Sequence, residues 1–80
     1  MTSIVTVILP ARFTAELRGR RALDLLRRAQ VPHLFDYRPP SGGAPCWTCP
    51  ASRVPDVLAA AQLSKNLRVV LRQQQEALPL

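Results

Sequence analysis

The run Ile4-Val-Thr-Val-Ile-Leu9 is apolar, β-branched and short, which predicts a buried strand ended by Pro10. From Thr14 to Gln30 the spacing turns helical. Ala15, Gly19, Ala22, Leu25, Leu26 and Ala29 fall on one side at ~100° per residue, with Leu23 at the edge. Thr14 can cap this helix, Glu16 sits favourably near its positive end, and Val31-Pro32 stops it. His33 to Arg38 predicts a second strand and Ala44 to Cys49 a third. Between them Pro39-Pro-Ser-Gly-Gly43 predicts a turn, because the glycines permit positive φ and the prolines block pairing. Ser52 can cap a second helix that tolerates Pro55 in its first turn and runs through Asp56 to Leu63. Ser64-Lys65-Asn66 is a turn, and Leu67 to Arg72 alternates as a fourth strand. The polar segment Gln73 to Leu80 reads as a loose tail.

Strand, helix, strand, strand, helix, strand is the split βαβ order. It resembles the ferredoxin-like fold and implies α+β architecture: a four-stranded antiparallel sheet with both helices on one face. The expectation is a single domain over residues 1–80 with its ordered core at about 4–72. Such a fold carries many unrelated functions, so it decides none.

Apolar residues make up 48% of the chain, which suits a packed core rather than a disordered segment. Aromatics are only Phe13, Phe35, Tyr37 and Trp47, so aliphatics must fill that core. Lys and Arg number 11 against 5 acidic residues, a net charge of +6, and all but Lys65 are arginine. A basic surface attracts phosphate backbones, anionic membranes or acidic protein faces. The planar guanidinium suits interfaces, but the same charge can serve solubility alone. The N-terminal apolar run lacks a charged leader and ends at Pro10, so it does not read as a signal peptide. No stretch approaches the ~20 apolar residues of a membrane span. The expected location is the cytoplasm of a bacterial host.

The C-x-x-C in Ala44-Pro-Cys-Trp-Thr-Cys-Pro50 admits three readings: metal clamp, redox pair, or structural thiols in a strand. Structural zinc normally takes four Cys or His ligands, and the whole chain offers Cys46, Cys49 and His33. Thioredoxin-type pairs sit at a helix start, whereas this pair precedes Pro50 in an extended run. Residues three apart in a strand lie ~10 Å apart on opposite faces, beyond disulfide reach. The strand reading is preferred, with no metal and no cofactor. Whether Trp47 faces the helices or a partner stays open.

Arg20, Arg21, Arg27 and Arg28 cluster opposite the apolar stripe of the first helix, around Asp24. Phe13 and Leu17 share that outer side, giving an apolar centre with an arginine rim beside Arg12. On the last strand Leu67, Val69 and Leu71 should face the helices, leaving Arg68, Val70 and Arg72 outward. An open sheet with arginines and rings resembles the RNA-recognition motif, but the first strand has no aromatic and the third lacks the basic-Gly-aromatic signature. One histidine, no Ser-His-acid set and no Gly-rich phosphate loop leave no catalytic constellation.

Binding remains, with two classes in competition. One is a non-enzymatic protein that docks on a protein or ribonucleoprotein complex; the other is a small basic nucleic-acid-binding regulator. Spread arginines among apolar residues favour the first. In size and layout the chain resembles the small anti-CRISPR proteins of phages and mobile elements. That resemblance implies an inhibitor that occupies a type I surveillance complex (Cascade) and blocks target DNA. Partner contacts would come from Arg20, Arg21, Arg27, Arg28, Phe13, Leu17, Arg68, Arg72 and Trp47. A monomer is favoured, although sheet edges near Arg38 or Arg72 could pair.

Overall fold

The computed structural model describes residues 2–9 and 13–73. Its elements are β1 (Ser3–Leu9), β2 (Thr14–Arg18), α1 (Ala22–Ala29), β3 (Leu34–Asp36), β4 (Cys46–Pro50), a 3-10 turn (Ala51–Arg53), α2 (Val54–Gln62) and β5 (Leu67–Gln73). The strands form one mixed five-stranded sheet in the order β3-β4-β2-β1-β5. β1 and β5 run parallel, and every other neighbouring pair is antiparallel. Pro10, Arg12 and the tail beyond Gln73 lie outside the described residues.

This corrects the expected ferredoxin-like, four-stranded antiparallel sheet. The error lies between Thr14 and Arg18, read as the start of a long helix and found as a strand. Thr14 therefore caps no helix. Ala15 fits both the helical stripe and a period of two, Leu17 only the second, and so short a run did not choose. Tertiary burial did. As a strand, the segment pairs with β1 through Thr6↔Arg18 and Ile8↔Glu16, and with β4 through Ala15↔Cys49 and Leu17↔Trp47. Leu17 becomes 1% exposed, and burying a leucine is worth ~1.5–3 kcal/mol. Helix propensities among these residue types differ by only a few tenths of a kcal/mol.

Gly19 makes the turn into α1 possible. Its φ is +132°, and a Cβ there would lie 2.5 Å from the Ile4 carbonyl oxygen. Only glycine allows both the dihedral and the approach to β1. Helix α1 then spans just two turns, burying Ala22, Leu25 and Leu26. Gln30 closes it in the left-handed conformation (φ 55°), and the Gln30 and Val31 amides donate back to the Arg27 and Leu26 carbonyls.

The remaining elements fall close to their expected places. β3 is shorter than His33 to Arg38, because the Arg38 amide donates to the Asp36 carboxylate at 2.9 Å and turns the chain away. Ser52 lies in the 3-10 turn, and Arg53 takes the N-cap of α2 without a side-chain cap. Val54, Val57 and Ala61 are the buried stripe of α2.

One face of the sheet carries the core. Val5 and Val7 of β1, Ala15 and Leu17 of β2, and Cys49 of β4 pack against both helices. Leu67, Val69 and Trp47 pack against this cluster and are partly buried. The other face begins with the residues between them in sequence: Ile4, Thr6, Ile8, Glu16, Arg18, Cys46, Thr48, Arg68, Val70 and Arg72.

Candidate functional site

That second face divides into a covered half and an uncovered half. The covered half lies over β2 and β4, beneath the hairpin loop of residues 37–45. At its centre is Glu16, which has no accessible surface. The Ser41 amide donates to Glu16 Oε2 at 2.8 Å and the Ser41 hydroxyl donates to Oε1 at 2.6 Å. Arg18 Nη2 pairs with Oε1 at 3.1 Å, while its Nη1 donates to the Ala44 carbonyl at 2.8 Å. The Cys46 thiol adds a weak donor 3.7 Å from Oε1. The loop is shaped for this by a turn in which the Gly42 amide donates to the Pro39 carbonyl, with φ +79° at Gly42. Pro39 is buried beneath it. Burial alone would raise the Glu16 pKa; the two Ser41 hydrogen bonds and Arg18 outweigh it and hold the carboxyl below its ordinary value. The carboxylate is a latch that keeps the loop on the sheet.

The same environment explains the C-x-x-C. Cys46 pairs opposite Asp36 and lies under the loop; Cys49 pairs opposite Ala15 and lies in the core. Both are free thiols and both are buried. Burial pushes both thiols up, and for Cys46 the Glu16 carboxylate adds to the rise while Arg18 opposes it. A thiol held protonated is a poor nucleophile and a poor metal ligand. Trp47, between them, points to the helix side. There it meets the rings of Phe35 at 5.2 Å and His33 at 5.4 Å, both edge-to-face, and Phe35 meets Tyr37 at 5.1 Å. Trp47 is thus an inner anchor, and its row ends in the exposed Tyr37.

The uncovered half lies over β1 and β5. Register places Ile4 beside Arg68, Thr6 beside Val70 and Ile8 beside Arg72. Ile4 is 54% exposed, and both arginines are exposed, while Ile8 and Val70 are half-buried. The result is a small apolar strip with guanidinium groups along its outer side.

The other sequence-predicted residues do not form one patch. Arg20 and Arg21 belong to the turn before α1, not to its face. Arg21 bonds Asp24 at 3.1 Å and the Lys65 carbonyl at 3.0 Å; Arg28 bonds Asp24 at 3.4 Å and the Ser64 hydroxyl at 3.3 Å. These two arginines tie α1 to the turn after α2. Arg20 and Arg27 are exposed. Phe13 is 78% exposed, but Leu17 is in the core, so the proposed Phe13–Leu17 centre is not a surface feature. Arg68 and Arg72 lie on the opposite side of the sheet from the helices and their arginines.

Sequence reasoning missed Glu16 and Ser41 as partners, since nothing local connects positions 25 residues apart. It also missed Ile4 and Ile8 as outward residues. Their signal was present in Thr6, the one polar position inside an otherwise apolar run.

Among the described residues no group of three or more His, Cys, Asp or Glu side chains is placed to hold a metal ion, and no helix is long and apolar enough to cross a membrane. No protein family, curated protein or solved structure matches the chain.

Proposed function

We propose that this is a non-enzymatic docking protein that acts by occupying a surface of a protein or ribonucleoprotein complex. What supports the reading is the uncovered half-face: Ile4, Ile8 and Val70 flanked by Arg68 and Arg72. Apolar area edged with arginine is the composition enriched at protein interfaces, where a guanidinium can pair with carboxylates bidentately. The net charge of +6 directs it to an acidic or mixed surface. The first partner to test is the one implied by the resemblance in size and layout, a type I CRISPR surveillance complex in a bacterial cytoplasm. On that reading the chain is an anti-CRISPR that keeps target DNA off the complex by steric exclusion. A basic inhibitor is no DNA mimic, so its contacts are with protein.

The test is competition. Purified surveillance complex is titrated with target duplex in the presence of wild-type chain, Arg68→Glu/Arg72→Glu, or Arg20→Glu/Arg27→Glu. The expected result is a loss of target affinity with wild type that the sheet-side variant abolishes and the helix-side variant keeps. If wild type leaves target binding unchanged, that partner is wrong. If the chain instead binds the duplex alone, with affinity falling steeply as salt rises, nucleic-acid binding replaces the docking reading.

A further inference from the structure

We infer that the outer edge of β5 receives an extended, acidic segment of a partner as a sixth strand. The inference deepens the docking reading and rests on it. β5 spans seven residues, Leu67–Gln73, and pairs with β1 along one side only. Among the described residues no strand pairs with its other side. Alternate N–H and C=O groups of any strand point to either side, so β5 presents a row of donors and acceptors that no described strand uses. The opposite edge of the sheet differs, since β3 is only three residues long. Edge strands are usually blunted by proline, a bulge, shortness or charged side chains, and of these β5 carries only the charges of Arg68 and Arg72, which repel a basic strand but admit an acidic one. β5 has no proline or glycine, and its seven residues pair with β1 in unbroken register.

The side chains around this edge suit alternate residues of an added strand. On the helix side a groove of about 320 Å³ runs between β5 and α2, lined chiefly by Leu58, Ala61, Gln62, Leu67 and Val69. Leu71 continues that side and is 51% exposed. On the other side stand Arg68 and Arg72, four residues apart and thus ~13 Å along the strand. An incoming strand would put apolar side chains against the groove and its alternate side chains against the arginines. Charge then selects the occupant. A second copy of β5 would set Arg68 and Arg72 opposite or diagonal to the same arginines, and like charges across a ladder are destabilising. A segment alternating acidic and apolar residues meets both surfaces with complementary groups. Main-chain bonds supply affinity in such strand addition, and the alternate side chains supply specificity.

The probe is a blocked octapeptide of alternating Glu and Val, added to the ¹⁵N-labelled full chain. Two controls are the same peptide with Lys for Glu, and the Glu peptide N-methylated at alternate positions along one edge. The expected result is slowed hydrogen exchange at alternate β5 amides, those facing away from β1. Both control peptides should bind about ten-fold more weakly or worse, and Arg68→Glu/Arg72→Glu should reverse the preference toward the Lys peptide. Equal binding of the N-methylated peptide overturns strand addition, because side chains alone would then explain it. Absence of β5 protection at millimolar Glu peptide overturns it too. So does protection of those amides without peptide, which shows the edge already occupied by a second copy or by the chain itself. If the peptide fails while Arg68→Glu/Arg72→Glu still abolishes partner binding, the docking face stands and only the strand mode is lost. Failure of both removes the docking reading as well.

Discussion

Replacing Glu16 with glutamine keeps the side chain's size and removes its charge, and the structure sets the cost. Glu16 accepts from the Ser41 amide, the Ser41 hydroxyl and Arg18, with the Cys46 thiol as a weak fourth donor. Glutamine offers one oxygen and one NH₂. With the oxygen toward Arg18, the NH₂ faces the Ser41 N–H, donor to donor at the 2.8 Å now spanned by a hydrogen bond. With the amide flipped, the NH₂ faces the Arg18 guanidinium instead. Either way one donor in a sealed site loses its acceptor, and the surviving bonds lose their charge assistance. An unsatisfied buried donor costs ~1–3 kcal/mol. The Arg18 pair adds less, since its side chain is 26% exposed and solvent screens it. The expected loss is about 2–3 kcal/mol at neutral pH, or roughly 10–20 °C in Tm for a domain of this size. Urea denaturation followed by circular dichroism measures it. The effect also carries a pH signature. The folded Glu16 pKa lies below its ordinary value of 4.5, so its stabilisation is fully present above that value and is lost as pH falls through the folded value. The gap between wild type and Glu16→Gln should therefore close in acid. A neutral-pH gap under about 0.5 kcal/mol, or one of constant size down the titration, would refute the latch.

Other consequences are as specific. Gly19→Ala should cost at least about 2 kcal/mol, from the positive φ and from the Cβ pressed on the Ile4 carbonyl, and chemical denaturation reads it directly. Serine at the two cysteines should separate them. Cys46→Ser keeps a donor to Glu16 and should change stability by well under ~1 kcal/mol, while Cys49→Ser puts a hydroxyl in the apolar core and should cost about 1–3 kcal/mol. In the native protein both thiols should resist a thiol reagent and react on unfolding, since both are buried with raised pKa. Fast native labelling of either would contradict their placement.

The amino-acid sequence by itself determined much of this molecule. β-Branched runs, the Pro-Pro-Ser-Gly-Gly turn and the alternation of Leu67–Arg72 specify β1, the β3–β4 loop and β5 through local sterics and a two-residue period, and the arginine-facing side of β5 follows from that period. That Cys46 and Cys49 lie on opposite faces of a strand was legible too, because side chains alternate along it. Two matters were left to the tertiary structure. Within Thr14–Arg18, Ala15 continues the helical stripe while Leu17 departs from it, and pairing with β1 and β4 on either side, with Leu17 driven into the core, decides for the strand. That extra strand moves Leu17 off the surface, reorders the sheet and detaches Arg20 and Arg21 from the helix. The loop over Glu16 is the second matter. A hydrogen bond between residues 25 apart has no local signature, yet it decides which half of the second face is covered and leaves the half with Ile4, Ile8, Val70, Arg68 and Arg72 uncovered. Local patterning carries periodicity; which of two compatible periods is used, and what lies over a sheet, is decided by the burial that distant segments supply.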